Sequence, residues 1–438
     1  MKISQISKVA SAAFVATLLS LQPQQAWAGG QGFSKEVMQD SSKDYSAAID
    51  TGRFERFPVR VSVSVRGGYD DNVNLSSFDP QESFFTNAAV NFNYEFGGPR
   101  TRMSLNGGVG ATYYFDRDDD EFSDDFGDDD GDFDDYDINA HLGFSITHKA
   151  TPRLTLAASL FASYQSQPEF ETFNQTSFSV GRQNQNFFYT TNRFSVGYAW
   201  APRFSTVTSY TINYVDYDDE LVSLFEDRFE HTIGNEFRFL VQPTTSVVAE
   251  HRFGIVDYTD AENRDSTSHF LLAGVDHSFS PRFNASFRGG VEFRDYDFDG
   301  DEDFEGDRTA PYFEGTLNYA LAQSTSISWF NRYSLEQPDS PDSFSRQTFR
   351  TSLSVRHAFT SRITAGLNFA YQHDENDGSF GIGGFDEDAF DISLSVRYAI
   401  NRNWAIDAGY HHTEVISDEA LFREYSRNRY YVGATFSF

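Results

Sequence analysis

The sequence contains no cysteine, which excludes a disulfide framework, a thiolate nucleophile and cysteine-based metal ligation. Basic residues are few: 34 Lys and Arg stand against 65 Asp and Glu, a formal net charge of -31. Nucleic-acid binding rests on clustered Lys and Arg, and no basic run occurs, so nucleic acid is excluded as a partner. Long apolar runs are missing as well. The most apolar stretch, Val9 to Leu21, falls short of the roughly 18 to 20 residues a spanning helix needs, so no helical crossing is expected. A mean hydropathy of -0.50 would suit a soluble or disordered chain, but an aromatic content of 17% argues against disorder.

What is present begins with a leader. Lys2 and Lys8 precede the apolar stretch, and Ala26-Trp27-Ala28 supplies a small-x-small cleavage pattern, so residues 1–28 read as a signal peptide and the mature chain starts at Gly29. Residues 29–57 show no clear period and read as a periplasmic or lumenal lead-in segment.

From residue 58 to 438 the dominant pattern is period two. After Phe283, the residues Phe283, Ala285, Phe287, Gly289, Val291 and Phe293 fall on one face and Asn284, Ser286, Arg288, Gly290, Glu292 and Arg294 on the other. The connections alternate between short turns, such as Ala201-Pro202-Arg203 and Ser280-Pro281-Arg282, and long polar segments at Asp116 to Asp137, Ser166 to Gln185, Asp297 to Thr309 and His373 to Asp388. A sandwich has no reason to alternate its connections in this way; an all-β, antiparallel, up-and-down transmembrane β-barrel does. The pattern predicts about 18 strands, with 16 the nearest alternative, and an even count puts both termini in the periplasm with the long loops outside.

Two motifs add a resemblance. Val61 to Leu75, with Tyr69-Asp-Asp-Asn-Val-Asn74 at its heart, and Ser83-Phe-Phe-Thr86 after it resemble the beta-barrel porin-2 family of bacterial outer-membrane proteins. Gly433, Phe436 and Phe438 resemble the β-signal read by the barrel-assembly machinery. The resemblance implies an outer-membrane barrel, in some relatives associated with exopolysaccharide secretion.

The residues that could carry function lie on the polar phase. Glu236, Arg238, Glu250 and Arg252 flank the Gln242-Pro243-Thr244 turn, and a register centred on Thr244 opposes Glu236 to Arg252 and Arg238 to Glu250 as a lumenal charge ladder. Arg288 and Glu292, with Asp276 between, extend that network, whose alternative role is to brace the wall. Tyr114, Phe161, Tyr312, Phe330 and Tyr431 share the polar phase and would form a saccharide track. The segment Asp116 to Asp137 holds about fourteen acidic residues, a solvated rim that favours cations, with divalent-cation binding as the sharper alternative. The histidines, among them His141, His251, His269, His411 and His412, are scattered without a serine motif, so no enzyme and no cofactor is expected.

The sequence thus reads as a porin-like passive channel for hydrophilic solutes. A secretion-associated polysaccharide barrel and a structural or adhesive surface barrel are the alternatives. Its expected partners are outer-membrane lipid, the barrel-assembly machinery and small hydrophilic solutes or polysaccharide; monomer and trimer both stay open.

Overall fold

The computed structural model describes residues 59–117, 136–166, 185–261, 264–296, 307–322, 324–339, 343–378, 384–418 and 423–438. The expected leader and lead-in, and most of the acidic segments at 116–137, 166–185 and 297–309, lie outside the described residues.

Eighteen antiparallel strands form one closed sheet. The first nine are β1 (Val59–Asp70), β2 (Ser83–Gly98), β3 (Thr101–Tyr114), β4 (Tyr136–Lys149), β5 (Leu154–Gln165), β6 (Phe187–Ala201), β7 (Phe204–Tyr217), β8 (Arg228–Gln242) and β9 (Thr245–Tyr258). They are followed by β10 (Ser266–Ser280), β11 (Phe283–Tyr296), β12 (Asp307–Ala322), β13 (Thr325–Glu336), β14 (Ser343–Ala358), β15 (Ile363–Gly378), β16 (Phe385–Ala399), β17 (Trp404–Ser417) and β18 (Tyr425–Ser437). Each strand pairs with its neighbours in sequence, and β1 pairs with β18, so no edge is left open. A closed ladder satisfies the backbone internally, which is the condition for crossing lipid.

Alternation sets the two faces. Val65, Val109, Phe237, Phe287 and Val432 are exposed on the outside, whereas Arg288, Glu292, Arg332 and Thr435 are buried on the inside. At the short-turn end the outer face carries an interfacial girdle. Trp200, Phe279, Phe359 and Trp404 are exposed there, and Thr101, Thr245 and Thr325 hydrogen-bond His148, His277 and His357 at 2.9, 2.8 and 2.8 Å.

The seam between β1 and β18 explains the Tyr69–Asn74 motif. Asp70, fully buried, receives Arg427 at 3.0 Å and Arg429 at 3.0 Å from β18. Asn72 donates to Ser76 O at 2.8 Å and Ser426 O at 2.9 Å, Asp71 accepts from the Asn428 backbone at 2.6 Å, and Asn74 accepts from Gln81 N at 3.1 Å. Short amide and carboxylate side chains there stand in for the ladder where β1 leaves the wall. Val73 turns inward and packs on Phe85 and Tyr114.

The wall is taller than the pattern predicts. The expected loop from His373 to Asp388 is mostly strand, because β15 runs on to Gly378 and β16 begins at Phe385. Asp374 and Asn376 continue the inward phase there and are buried, so a polar outer face ended the apolar signal without ending the ladder. A short helix, α1 (Glu220–Glu226), was also not foreseen; Asp219 caps it by accepting from Leu221 N and Val222 N at 2.9 Å each.

Candidate functional site: the lumenal charge array

The turn after β8 fixes the array. Pro243 and Thr244 form the turn, and a bulge between Leu240 and Gln242 moves the register so that Glu236 faces Glu250, Arg238 faces Val248 and Arg252 faces Gly234. The expected pairs Glu236–Arg252 and Arg238–Glu250 are therefore wrong by two residues. One residue of the shift comes from the tight turn, which closes at Gln242–Thr245, and one from the bulge, beyond which the ladder is centred on Pro243. A shift of two preserves the face, and all four side chains remain on the inner wall.

With Glu236 opposite Glu250, compensation comes from elsewhere. Arg238 reaches back along its own strand to Glu236 at 2.7 Å and across to Asp276 at 2.9 Å. Arg252 reaches Glu250 at 2.6 Å and Glu314 at 3.0 Å. Arg288 holds Asp276 at 2.8 Å and approaches Glu250 at 3.7 Å. Asp276 is thus shared by two guanidiniums. Gly274 lets this happen: a Cβ there would lie 2.6 Å from Arg288 Cδ and 2.1 Å from the Phe287 carbonyl.

Glu292 does not join this network. It lies four residues beyond Arg288, about 13 Å along a strand. There it accepts from Arg294 at 2.8 Å and Ser268 at 3.1 Å.

The array continues further than the pattern reading took it. One row of register partners runs Arg238, Val248, Gly274, Arg288, Glu314, Arg332, Arg350 and Gln372 across β8 to β15. Glu314, Arg332 and Glu336 were passed over, although Glu314 shares its phase with Tyr312 two residues before it. Tyr312 is itself buried, donates to Glu314 at 2.6 Å and accepts from Arg252 at 2.8 Å. Tyr114 is 1% exposed, Tyr431 lies under Arg66, and Phe161 packs on Tyr189. These inward rings serve the wall, and Phe330, half-buried, faces Ser352.

Toward the long-connection end, side chains from several connections meet. Glu226 of α1 lies 3.2 Å from Arg228 and 3.5 Å from Arg264. Arg264 donates to Phe225 O at 2.7 Å and to Ser343 O at 2.9 Å, while Arg423 holds Asp339 and Glu387 at 2.8 Å each. Burial pushes the Glu226 carboxyl up to about 7 and nearby Asp339 adds to this, while Arg228, Arg264 and Arg346 pull it down. A carboxyl that holds its proton more tightly folded than free loses stabilisation as pH rises from its free value to its folded one. The α1 connection should therefore resist proteolysis more at about pH 5 than at about pH 8, and Glu226→Gln should shrink the difference to the part carried by Asp227, whose carboxyl burial pushes up to about 6. Equal pH dependence in that variant would assign the effect to another group.

At the carboxyl end, Gly433 has a local reason. It stands in register between Asp407 and Arg66, and Arg66 crosses over it to reach Asp407 at 2.8 Å. A Cβ on Gly433 would lie 2.5 Å from Arg66 Cγ. Phe436 packs on Trp404, and Phe438 exchanges backbone hydrogen bonds with Val61 at 3.1 and 3.0 Å.

Among curated proteins none matches this chain. Solved structures similar to it include OccAB4 of Acinetobacter baumannii, at 11% identity and TM-score 0.42, covering 88% of this chain and 99% of that one. A BenF-like porin from Pseudomonas fluorescens Pf-5 has 10% identity and TM-score 0.44, covering 87% and 99%. OpdK of Pseudomonas aeruginosa, solved with vanillate, has 12% identity and TM-score 0.43, covering 87% and 99%. A family model described as Putative beta-barrel porin 2 matches residues 49–438, and the chain, a porin-like barrel of the outer membrane, belongs to that family.

Proposed function

We propose that this barrel is a passive conduit for small hydrophilic solutes, with the short turns and both termini on the periplasmic side and the long connections outside. The observation that carries this reading is the charged inner row from Arg238 to Arg350 inside an otherwise apolar, lipid-suited exterior. Barrels of this strand number enclose an aqueous lumen unless plugged. Arg66 and Arg193, each with 38% of the side chain exposed on the inner face, are the kind of side chains that a solute would meet. Selection is then by width and wall charge, without a cofactor. Outer-membrane lipid is the partner of the exposed outer face, and the barrel-assembly machinery that of Gly433, Phe436 and Phe438.

A net charge of -31, concentrated in the long connections, should bias the mouth toward cations. In planar bilayers the reversal potential should show cation preference at low salt. The preference should shrink as the screening length falls below about 8 Å. Anion preference at every salt concentration would mean that the lumenal arginines dominate, and the absence of any conductance would overturn the conduit.

A further inference from the structure

We infer that the inner wall of β14 and β15 holds a binding site for a small oxyanion, a carboxylate or phosphate group, formed by Arg346, Thr348, Arg350 and Asn376. The inference rests on the conduit reading for how the anion arrives.

Several like-charged pairs stand directly opposite one another on the inner wall, among them Glu236–Glu250, Arg332–Arg350 and Asp374–Glu387, and like charges in that position repel. Glu236 and Glu250 are answered by four guanidiniums: Arg238 at 2.7 Å, Arg252 at 2.6 Å, Arg288 at 3.7 Å and Arg193 at 4.0 Å. Arg332 and Arg350 share a single carboxylate, Glu336, each through one Nη2. Arg332 also stands opposite Glu314. The other cross-strand neighbour of Arg350 is Gln372, whose amide donates instead to Asp374 at 2.7 Å. Arg350 is 2% exposed, and its Nε and Nη1 have no hydrogen-bond acceptor.

The neighbouring positions share this condition. Thr348 lies between Arg346 and Arg350 on the inward phase, is 1% exposed, and its hydroxyl has no partner. Arg346 uses Nη1 for Asp339 at 3.0 Å and Asp374 at 3.7 Å, while its Nε makes no hydrogen bond. Opposite it, Asn376 is 5% exposed and neither amide atom is bonded. Four contiguous, buried side chains thus present unmatched donors, two of them cationic. Leaving charged donors unmatched in a buried wall is costly, and a guanidinium edge fits the paired oxygens of a carboxylate or phosphate. A cation would meet two guanidiniums, and a neutral solute would bring no charge to the pair that shares Glu336. The amide and hydroxyl of Asn376 and Thr348 suit an anion that also carries a hydroxyl.

Equilibrium dialysis of the purified full-length barrel in detergent tests this, with succinate, inorganic phosphate and, as neutral probe, glucose. Succinate or phosphate should show saturable binding and glucose none, and the tighter of the two identifies the group recognised. Arg350→Gln should weaken binding roughly tenfold or more, as loss of charge-assisted hydrogen bonds does, with Arg350→Lys between it and the parent. Thr348→Val, which leaves the charges in place, should weaken binding by a smaller factor and carries the test if Arg350→Gln does not assemble, as judged by heat-modifiable migration. No saturable uptake of either anion, or equal affinity in parent and variants, would overturn the site and leave water as what fills it. Conductance of the same preparation separates the two readings: a barrel that conducts but does not bind overturns the site alone, and one that binds but does not conduct overturns the conduit alone.

Discussion

Removal of Phe438 is expected to abolish most of the assembled barrel in the membrane, whereas replacing an acidic residue such as Asp129 should leave assembly near the parent level. Phe438 closes the cylinder. Its N–H and carbonyl both bond Val61 on β1, and its ring packs at a tilt against Phe436 beside Trp404. Losing two backbone bonds costs about 2 kcal/mol at the closing seam, where an unpaired β1 would present its edge to lipid. The carboxyl-terminal aromatic also belongs to the segment we assign to recognition by the assembly machinery. Pulse-labelled cells, with assembled barrel scored by heat-modifiable migration, provide the measurement. Equal yields from the deletion and the parent would remove both roles.

Asp276→Ala should be the most destabilising single substitution among the charged residues first singled out from the sequence. Asp276 is 4% exposed and is the common acceptor for Arg238, Arg288 and the Ser286 hydroxyl, at 2.9, 2.8 and 2.8 Å. Its loss leaves two guanidiniums converging on one emptied position of the inner wall. Breaking a buried pair by removing one partner costs about 3 to 5 kcal/mol, and partial solvation of Arg238 should bring the figure to the lower end. Asp276→Asn keeps an acceptor oxygen and should fall between. Urea unfolding of the barrel refolded into lipid vesicles measures the difference. A change under about 1 kcal/mol for Asp276→Ala would mean that the wall relaxes to let water reach Arg288.

Legibility differed by level. The strand number, the two faces and the closed antiparallel order could be read from the chain because alternation is strictly local: each residue's face is fixed by its neighbours two positions away. The inward set Glu236, Arg238, Glu250 and Arg252 was readable for that reason. Which of them touch was not, since a turn closing at Gln242–Thr245 and a one-residue bulge between Leu240 and Gln242 together moved every pair by two and turned an expected salt bridge into a Glu236–Glu250 confrontation. The upper wall was misread at β15 and β16, where outward polar residues hid strands whose inner residues, Asp374 and Asn376, are buried. The helix α1 left no periodic trace in seven residues.

By itself the sequence determined a cysteine-free, acidic, two-faced chain that closes as an outer-membrane cylinder, because composition and a two-residue period are properties of the covalent order alone. Only the tertiary structure decided which charges meet. Arg66 reaches Asp407 across Gly433, Arg264 ties α1 to Ser343, and Arg332 stands against Arg350. Those meetings join residues separated by tens to hundreds of positions, and they depend on register, bulges and closure, which are set by the whole sheet and not by any one strand.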